Sequence, residues 1–369
     1  MKPYRSFSLI LLSVAASGSC LVALFNAIID PFGIMNILVI RGINQSKPAT
    51  VDNTRLYKAV DLTRQDAKTI FLGASRVETA FDVEHPALQT YQPVYNLAMQ
   101  GMTFYEQRRY LEYAIQTQEN IQVVILGIDL WLLEDPYLRK TGFKEDRLQQ
   151  QGLPLSESLE INFSWDTFSK SLESIKANLD KPDYEYYNSK GVRDTDYVKY
   201  RNVKFTSWLP GIINNPKDKI FPFALENLSI IVDLCRENNL NLIAFITPPH
   251  VTQFEAMYMS GSEAVIEQGK REIVNILPVW DFSGYNSITT EFITDQMTKY
   301  RDSSHFTMHV GDLILNRILQ YNQEIVPEDF GIMIAQENIE EHLEDIRKQR
   351  NIWRKDNPDV VTMLEGLKR

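Results

Sequence analysis

The chain has 369 residues, a formal net charge of −10 and two cysteines. That length supports one large α/β domain with appendages. The acidic balance and the lack of a basic tract argue against nucleic acid as a partner, and without CxxC, HExxH or a close histidine cluster a structural zinc site is not indicated.

Lys2 and Arg5 precede an uncharged run over 6–29, long enough to cross a bilayer as a helix. Three readings meet here. A cleaved signal peptide has a shorter apolar core, whereas this run continues through Leu21-Val22-Ala23-Leu24-Phe25. A lipoprotein signal asks for small residues before Cys20, and Ser17-Gly18-Ser19 is a poor version. An uncleaved anchor over 1–30 is the expectation. The basic end favours a cytoplasmic start and an external domain, although Arg41 and Lys47 stand on the other flank. Asp30-Pro31-Phe32-Gly33 stops the helix. Residues 31–64 read as a polar connector that opens with an apolar patch at 34–40, packed either on the domain or on the membrane surface.

Short apolar runs at 70–73, 94–98, 122–130, 240–247 and 279–282 read as strands. The run at 122–130 is nearly continuous, as suits a strand covered on both faces. Tyr105, Tyr110, Leu111, Tyr113 and Ala114 recur at helical spacing and predict a helix over 104–118, with others at 224–238, 263–277 and 310–320. Such a βα repeat implies right-handed crossovers. Residues 134–222 interrupt the rhythm. They include Tyr184, Tyr186, Tyr187, Tyr197, Tyr200 and Trp208, and read as an insertion, either a lid over a cleft or a small satellite core. Beyond 323 a charged helix is expected at about 334–354, solvated and laced with i,i+4 ion pairs.

The first strand runs into Gly73-Ala74-Ser75-Arg76, which would bring one hydroxyl to the carboxyl edge of the sheet, where open α/β folds place their sites. A serine there is otherwise a helix N-cap. Val77 stands where a Gly-x-Ser-x-Gly elbow has its second glycine, so that tight elbow is not indicated. Far downstream, Asp302-Ser303-Ser304-His305 supplies an acid and an imidazole three residues apart, facing the same way on one helical or turn segment. Ser75 is then the candidate nucleophile, His305 the general base and later acid, and Asp302 the group that orients the ring. His309 reads as the start of the last domain helix, and His85 and His342 as surface residues. His250, after Pro248-Pro249 at a strand's carboxyl end, reads as a substrate contact. Arg76 either clamps an anionic group on the substrate or forms a structural ion pair.

A serine after the first strand, a glycine after the second (Tyr95-Asn96-Leu97-Ala98-Met99-Gln100-Gly101) and an Asp-x-x-His near the domain's end together resemble the SGNH/GDSL hydrolase superfamily. More narrowly, they look like its membrane-anchored bacterial branch, which includes the alginate O-acetylation proteins and the teichoic-acid D-alanine-transfer protein. The resemblance covers roughly 65–322. It implies a three-layer, flavodoxin-like α/β fold with a parallel sheet, organised as an anchor (1–30), a connector (31–64), an SGNH-like domain (65–322) carrying the insertion 134–222, and a charged helical tail (323–369). It further implies a serine-dependent O-acyltransferase or carbohydrate esterase, using no cofactor, on the outer side of the cytoplasmic membrane. Its partners would be a cell-surface polysaccharide or other envelope polymer and a multi-pass membrane acyltransferase.

By the same resemblance, the oxyanion hole would use the backbone N–H groups of Ser75 and Gly101. Asn96 is a further candidate donor, with holding a turn as its alternative role. The family's third donor is typically an asparagine after strand three, where this chain has Asp129 in Gly127-Ile128-Asp129-Leu130. An ionised carboxylate repels an oxyanion, so Asp129 is expected instead to hold the loop or bind Arg76. A non-catalytic envelope scaffold that keeps the fold is the competing reading.

Overall fold

A computed structural model describes residues 2–150, 152–180, 186–194 and 204–368. The chain divides into two compact units: Met1–Arg64 with Gly142–Ser189, and Gln65–Thr141 with Lys190–Arg369. In chain order, helices α1 (Lys2–Ile29) and α2 (Thr54–Leu62) open the first unit. Helices α3 (Ser75–Ala80) and α4 (Phe104–Thr117) follow in the second, and α5 (Leu155–Asn162) and α6 (Trp165–Asp180) return to the first. The second unit ends with α7 (Pro222–Glu237), α8 (Val251–Met259), α9 (Glu263–Ile276), α10 (Met308–Ile318), α11 (Ile339–Asp356) and α12 (Pro358–Glu365).

The second unit is built on a mostly parallel sheet of β1 (Thr69–Leu72), β2 (Val94–Asn96), β3 (Val123–Ile128), β4 (Asn241–Ile246), β5 (Val279–Asp281) and β6 (Ile332–Ile334). The spatial order is β2-β1-β3-β4-β5-β6, with only β6 antiparallel to its neighbour. In the register, Ile70 pairs with Tyr95 on one side and Val124 on the other, and Ile125 pairs with Ile243. Every residue of β1 and β3 is buried, because helices cover both faces. Phe71, Ile125 and Phe245 pack on one face with Val77, Phe81, Val310 and Ile314, from α3, α10 and the loop after α3. Ile70, Val124, Leu126 and Ala244 alternate to the opposite face, where α7 lies on β4 and packs along α4.

The C-terminal residues differ from the solvated helix expected of them. Ile332 to Ile334 extend the sheet, and in α11 the residues Ile339, Leu343 and Ile346 are buried. Arg350 grips the buried carboxylate of Glu255 through Nε and Nη2, each at 2.9 Å. Glu340, Arg347, Arg350 and Arg354 thus pair with the domain, while Lys348 and Glu344 keep the expected i,i+4 pair on the exposed face. His342, expected at the surface, donates from Nε2 to the buried carboxylate of Asp281 at 2.8 Å, beside Lys270.

In the first unit, α1 includes 26 residues, Tyr4–Ile29, that are long and apolar enough to cross a membrane. Its last turn is built into the unit. Asn26 is buried, donates from Nδ2 to the carbonyls of Asn162 (2.8 Å) and Ser164 (3.1 Å), and accepts from Ser171 Oγ (3.0 Å). The helix stops at Asp30, which turns to φ +50°. Its carboxylate accepts from the N–H groups of Ile34, Met35 and Asn36 and pairs with Lys47 at 3.0 Å.

Residues 31–64 are more than the polar connector expected. Leu56 and Val60 of α2 join Phe32, Ile34 and Ala49 in a small core, hidden in the sequence among Arg55, Lys58 and Asp61. The stretch read as one insertion is shared: 142–189 belong to the first unit, and 134–141 with 190–222 to the second. Of its aromatic residues, Tyr187 stacks on Tyr57 at 5.1 Å and Tyr186 is exposed, whereas Tyr184, Tyr197 and Tyr200 lie outside the described residues.

Candidate active site

All residues of the candidate site belong to the second unit. After β1 the chain turns at Gly73 (φ +154°) into α3, whose first residue is Ser75. A Cβ on Gly73, or on Gly127 of β3, would overlap Cγ2 of Val77. Val77 thus fills the gap that two glycines leave between neighbouring strands, which explains a valine where a second elbow glycine would stand. The N–H of Ser75 lies in the first turn of α3, where intrahelical acceptors are lacking.

Asp302 and His305 come from a tight loop rather than a helix. Tyr300 and Phe306 form an antiparallel bridge, and Arg301 N–H donates to the His305 carbonyl at 2.9 Å. Inside the loop, Asp302 Oδ1 accepts from the N–H groups of Ser304 (2.7 Å) and His305 (2.8 Å), which fixes the turn locally. His309 lies beyond it, exposed in the first turn of α10.

The loop brings the imidazole to the serine. Ser75 Oγ lies 3.0 Å from His305 Nε2, and His305 Nδ1 lies 3.1 and 3.0 Å from the two oxygens of Asp302. Donation of Nδ1–H to the carboxylate makes Nε2 the acceptor for the serine proton. The Asp302 side chain is 1% exposed and that of His305 is 13%, so the site opens to solvent from the serine–imidazole side. Burial by itself would raise the pKa of Asp302. The His305 hydrogen bond and charge and the two backbone N–H groups outweigh it, and the carboxyl is held below its usual range. Trp208 Nε1 approaches Asp302 Oδ2 at 3.4 Å.

Arg76 is committed inside the protein. Its Nη1 donates to Asp129 Oδ1 (2.7 Å) and Thr247 Oγ1 (2.9 Å), its Nε to the Ser304 carbonyl (2.8 Å) and its Nη2 to Ser304 Oγ (3.0 Å). The side chain is 3% exposed, so the substrate clamp gives way to the structural ion pair. Asp129, its partner, also accepts from the Thr247 hydroxyl and holds the arginine. With its amide turned to satisfy these neighbours, Gln253 donates to the Ser303 carbonyl (2.9 Å) and Ser304 Oγ (3.2 Å).

Gly101 takes φ +63° in the loop after β2. That loop is tied to the serine turn through Met99 N–H and the Gly73 carbonyl at 3.3 Å. Asn96 is fully buried; its Nδ2 donates to the Val77 carbonyl at 3.0 Å and its Oδ1 accepts from Ala98 N–H at 3.0 Å. It holds the turns on either side rather than presenting its amide to a substrate.

His250 is corrected likewise. It is 1% exposed and caps α8, accepting from Thr252 N–H through Nδ1 (3.2 Å) and donating from Nε2 to the Glu291 carbonyl (2.8 Å). Its ring lies edge-on to Phe205 and Tyr300, and its N–H donates to the Ser303 carbonyl at 3.1 Å. It buttresses the base-bearing loop. Burial outweighs the Glu291 carbonyl and carboxylate and pushes its pKa down to about 4.

Sequence reasoning missed Thr247, Ser304, Gln253 and the reach of Trp208 to Asp302. None has a local spacing signal, because each meets the site only through the tertiary fold. No protein-family model matches this chain, and no curated protein matches it.

Proposed function

We propose that the protein is a membrane-anchored, SGNH-like serine acyltransferase or esterase. It acts on O-acyl groups, most simply O-acetyl, of a cell-surface polysaccharide or related envelope polymer. The observation that carries this reading is the chain Ser75 Oγ–His305 Nε2–Nδ1–Asp302, at 3.0 and 3.0 Å. The strand order β2-β1-β3-β4-β5, which is the flavodoxin-like order, supports it. So does the origin of the site at the carboxyl ends of β1 and β2. The choice of an envelope polymer, an outward-facing domain and a multi-pass acyltransferase as donor rests on resemblance to the anchored bacterial branch.

In this reading Ser75 Oγ attacks the acyl carbonyl while its proton passes to His305 Nε2. The N–H groups of Ser75 and Gly101 are assigned to the oxyanion by the same resemblance. The imidazolium, stabilised by Asp302, gives the proton to the leaving alkoxide, and the acyl group stays on Ser75 as an ester. A sugar hydroxyl or water then loses its proton to His305 and attacks the ester, and His305 returns that proton to Ser75 Oγ as the ester bond breaks.

The test is intact-mass labelling of the full-length chain in detergent with a fluorophosphonate. One adduct on the parent, absent from Ser75→Ala and His305→Ala, is expected. A second reading, a non-catalytic envelope scaffold, draws on the commitment of Arg76, Asn96 and His250 to internal partners. A folded parent that takes no adduct favours the scaffold.

A further inference from the structure

Contact between α1 and the rest of the first unit begins late in the helix. Residues 4–21 are exposed throughout, about 27 Å of helix, close to the ~30 Å hydrocarbon thickness of a bilayer. Just beyond them, Phe25 meets Phe168 of α6 with ring centroids 5.2 Å apart, and Asn26 meets Ser171. Helix α6 therefore joins α1 where the freely exposed apolar length runs out.

The outer surface of α6 carries an apolar and an acidic line, with Ser169 and Lys176 exposed between them. Trp165, Leu172 and Leu179 are 72%, 49% and 67% exposed. Asp166, Glu173 and Asp180, each one position on, are exposed as well. Seven residues are nearly two helical turns, so each set forms a line along the helix, apolar beside acidic. The preceding helix adds Leu155, Leu159 and then Phe163, all exposed at four-residue spacing. The segment Ile37-Leu38-Val39 is exposed too. Asn44 holds it beside the end of α1, donating to the carbonyls of Ile28 (2.9 Å) and Leu38 (2.8 Å).

Scattered apolar residues on a surface need no explanation, but aligned ones that continue a helix of membrane length do. We propose that these surfaces form one apolar edge of the first unit, seated in the headgroup–acyl boundary of the bilayer that α1 crosses. Trp165 sits at the interface, where amphipathic aromatic rings are favoured, and the acidic line faces water. The proposal rests on α1 spanning a membrane. A bilayer is the occupant because the apolar edge is continuous with that span and begins at the level where it ends.

The test uses the full chain in phosphatidylcholine–phosphatidylglycerol vesicles. Cys20→Ala removes the exposed thiol, and the remaining Cys235 is buried. An NBD fluorophore is placed on Leu172→Cys or, one position on, Glu173→Cys, and carbonate washing reads the span itself. The expected chain resists carbonate. Its label at 172 shifts to the blue and is quenched by nitroxide lipids, whereas the label at 173 stays water-like and is quenched by iodide. Water-like emission at both positions in a carbonate-resistant chain overturns the proposal and leaves the span standing. A label at 172 shielded from iodide yet untouched by nitroxide lipids puts a protein there, a partner or second copy, and also overturns it. Extraction by carbonate removes the span and the proposal together.

Discussion

Arg76 donates from Nε to the Ser304 carbonyl at 2.8 Å, so the residue after Ser75 grips the residue before His305. Asp129 and Thr247 fix the same guanidinium from behind. Lysine would keep the charge but lose the fork. We expect Arg76→Lys to fold and to lose about 10²-fold in fluorophosphonate labelling, the scale on which ångström misplacements act. Arg76→Met strands a buried carboxylate and should cost about 3–5 kcal/mol. Arg76→Met/Asp129→Leu should recover most of that thermal stability while labelling stays low. Recovery of labelling in the double variant would show that the guanidinium does not position the site.

Asp302 holds both the ring of His305 and the backbone of its own loop. Asp302→Asn keeps an oxygen for the N–H groups of Ser304 and His305 but can present an amide to Nδ1, which favours the wrong tautomer. Labelling should fall by about 10³–10⁴-fold with little change in melting temperature. An equal loss of stability would assign Asp302 a purely structural role.

His250 predicts a pH dependence of stability. The unfolded imidazole takes a proton near 6.5, whereas the buried one resists until about 4. Between those values the unfolded state binds more protons, so the native state loses stability as the pH falls. The contribution is complete above 6.5 and is lost progressively towards 4, by about 3 kcal/mol. His250→Asn keeps an acceptor for Thr252 N–H and removes the titration. Its melting temperature should drop less than the parent's between pH 7 and 4.5; identical drops would place the titrating group elsewhere.

The strands were legible because a parallel strand buried on both faces is a short continuous apolar run, as Val123 to Ile128 shows. Helix α8 was not. All residues from Val251 to Tyr258 are buried, so no apolar stripe alternates with a polar face. Ser75, Asp302 and His305 could be picked out because strand order and an i,i+3 turn are local signals. The direction of a ring is not local: His250 stands at a strand end, as read, but Thr252 and Glu291 turn it inward. The C-terminal helix misled for another reason. Its buried Ile339, Leu343 and Ile346 are helically spaced, yet outnumbered by charges whose partners, such as Glu255, lie far away in sequence.

Val77 and Gly127 offer a packing test. Gly127→Ala drives a methyl into Val77 and should cost about 1–3 kcal/mol. Val77→Ala opens the space. Gly127→Ala/Val77→Ala should therefore be more stable than the two single losses added together, as coupled neighbours are. Strict additivity in denaturant unfolding would rule out the contact.

Glu255 ties the C-terminal helix to the domain. It accepts from Tyr285 as well as from Arg350 and Arg354. Arg350→Ala removes a bidentate cation from a fully buried carboxylate that keeps Arg354 and Tyr285, and a loss of about 1–3 kcal/mol is expected. Glu255→Gln/Arg350→Met should be milder than Arg350→Ala, which thermal melting would check.

The buried Asn26 builds the end of the N-terminal helix into the first unit. Proteolytic shedding before residue 31 would remove the amide that satisfies the carbonyls of Asn162 and Ser164 and the hydroxyl of Ser171, together with Ile29. A shed form would begin life with a hole in its first unit. The last turn of the helix is thus a structural member of the first unit, and cleavage ahead of residue 31 would weaken the unit it leaves behind.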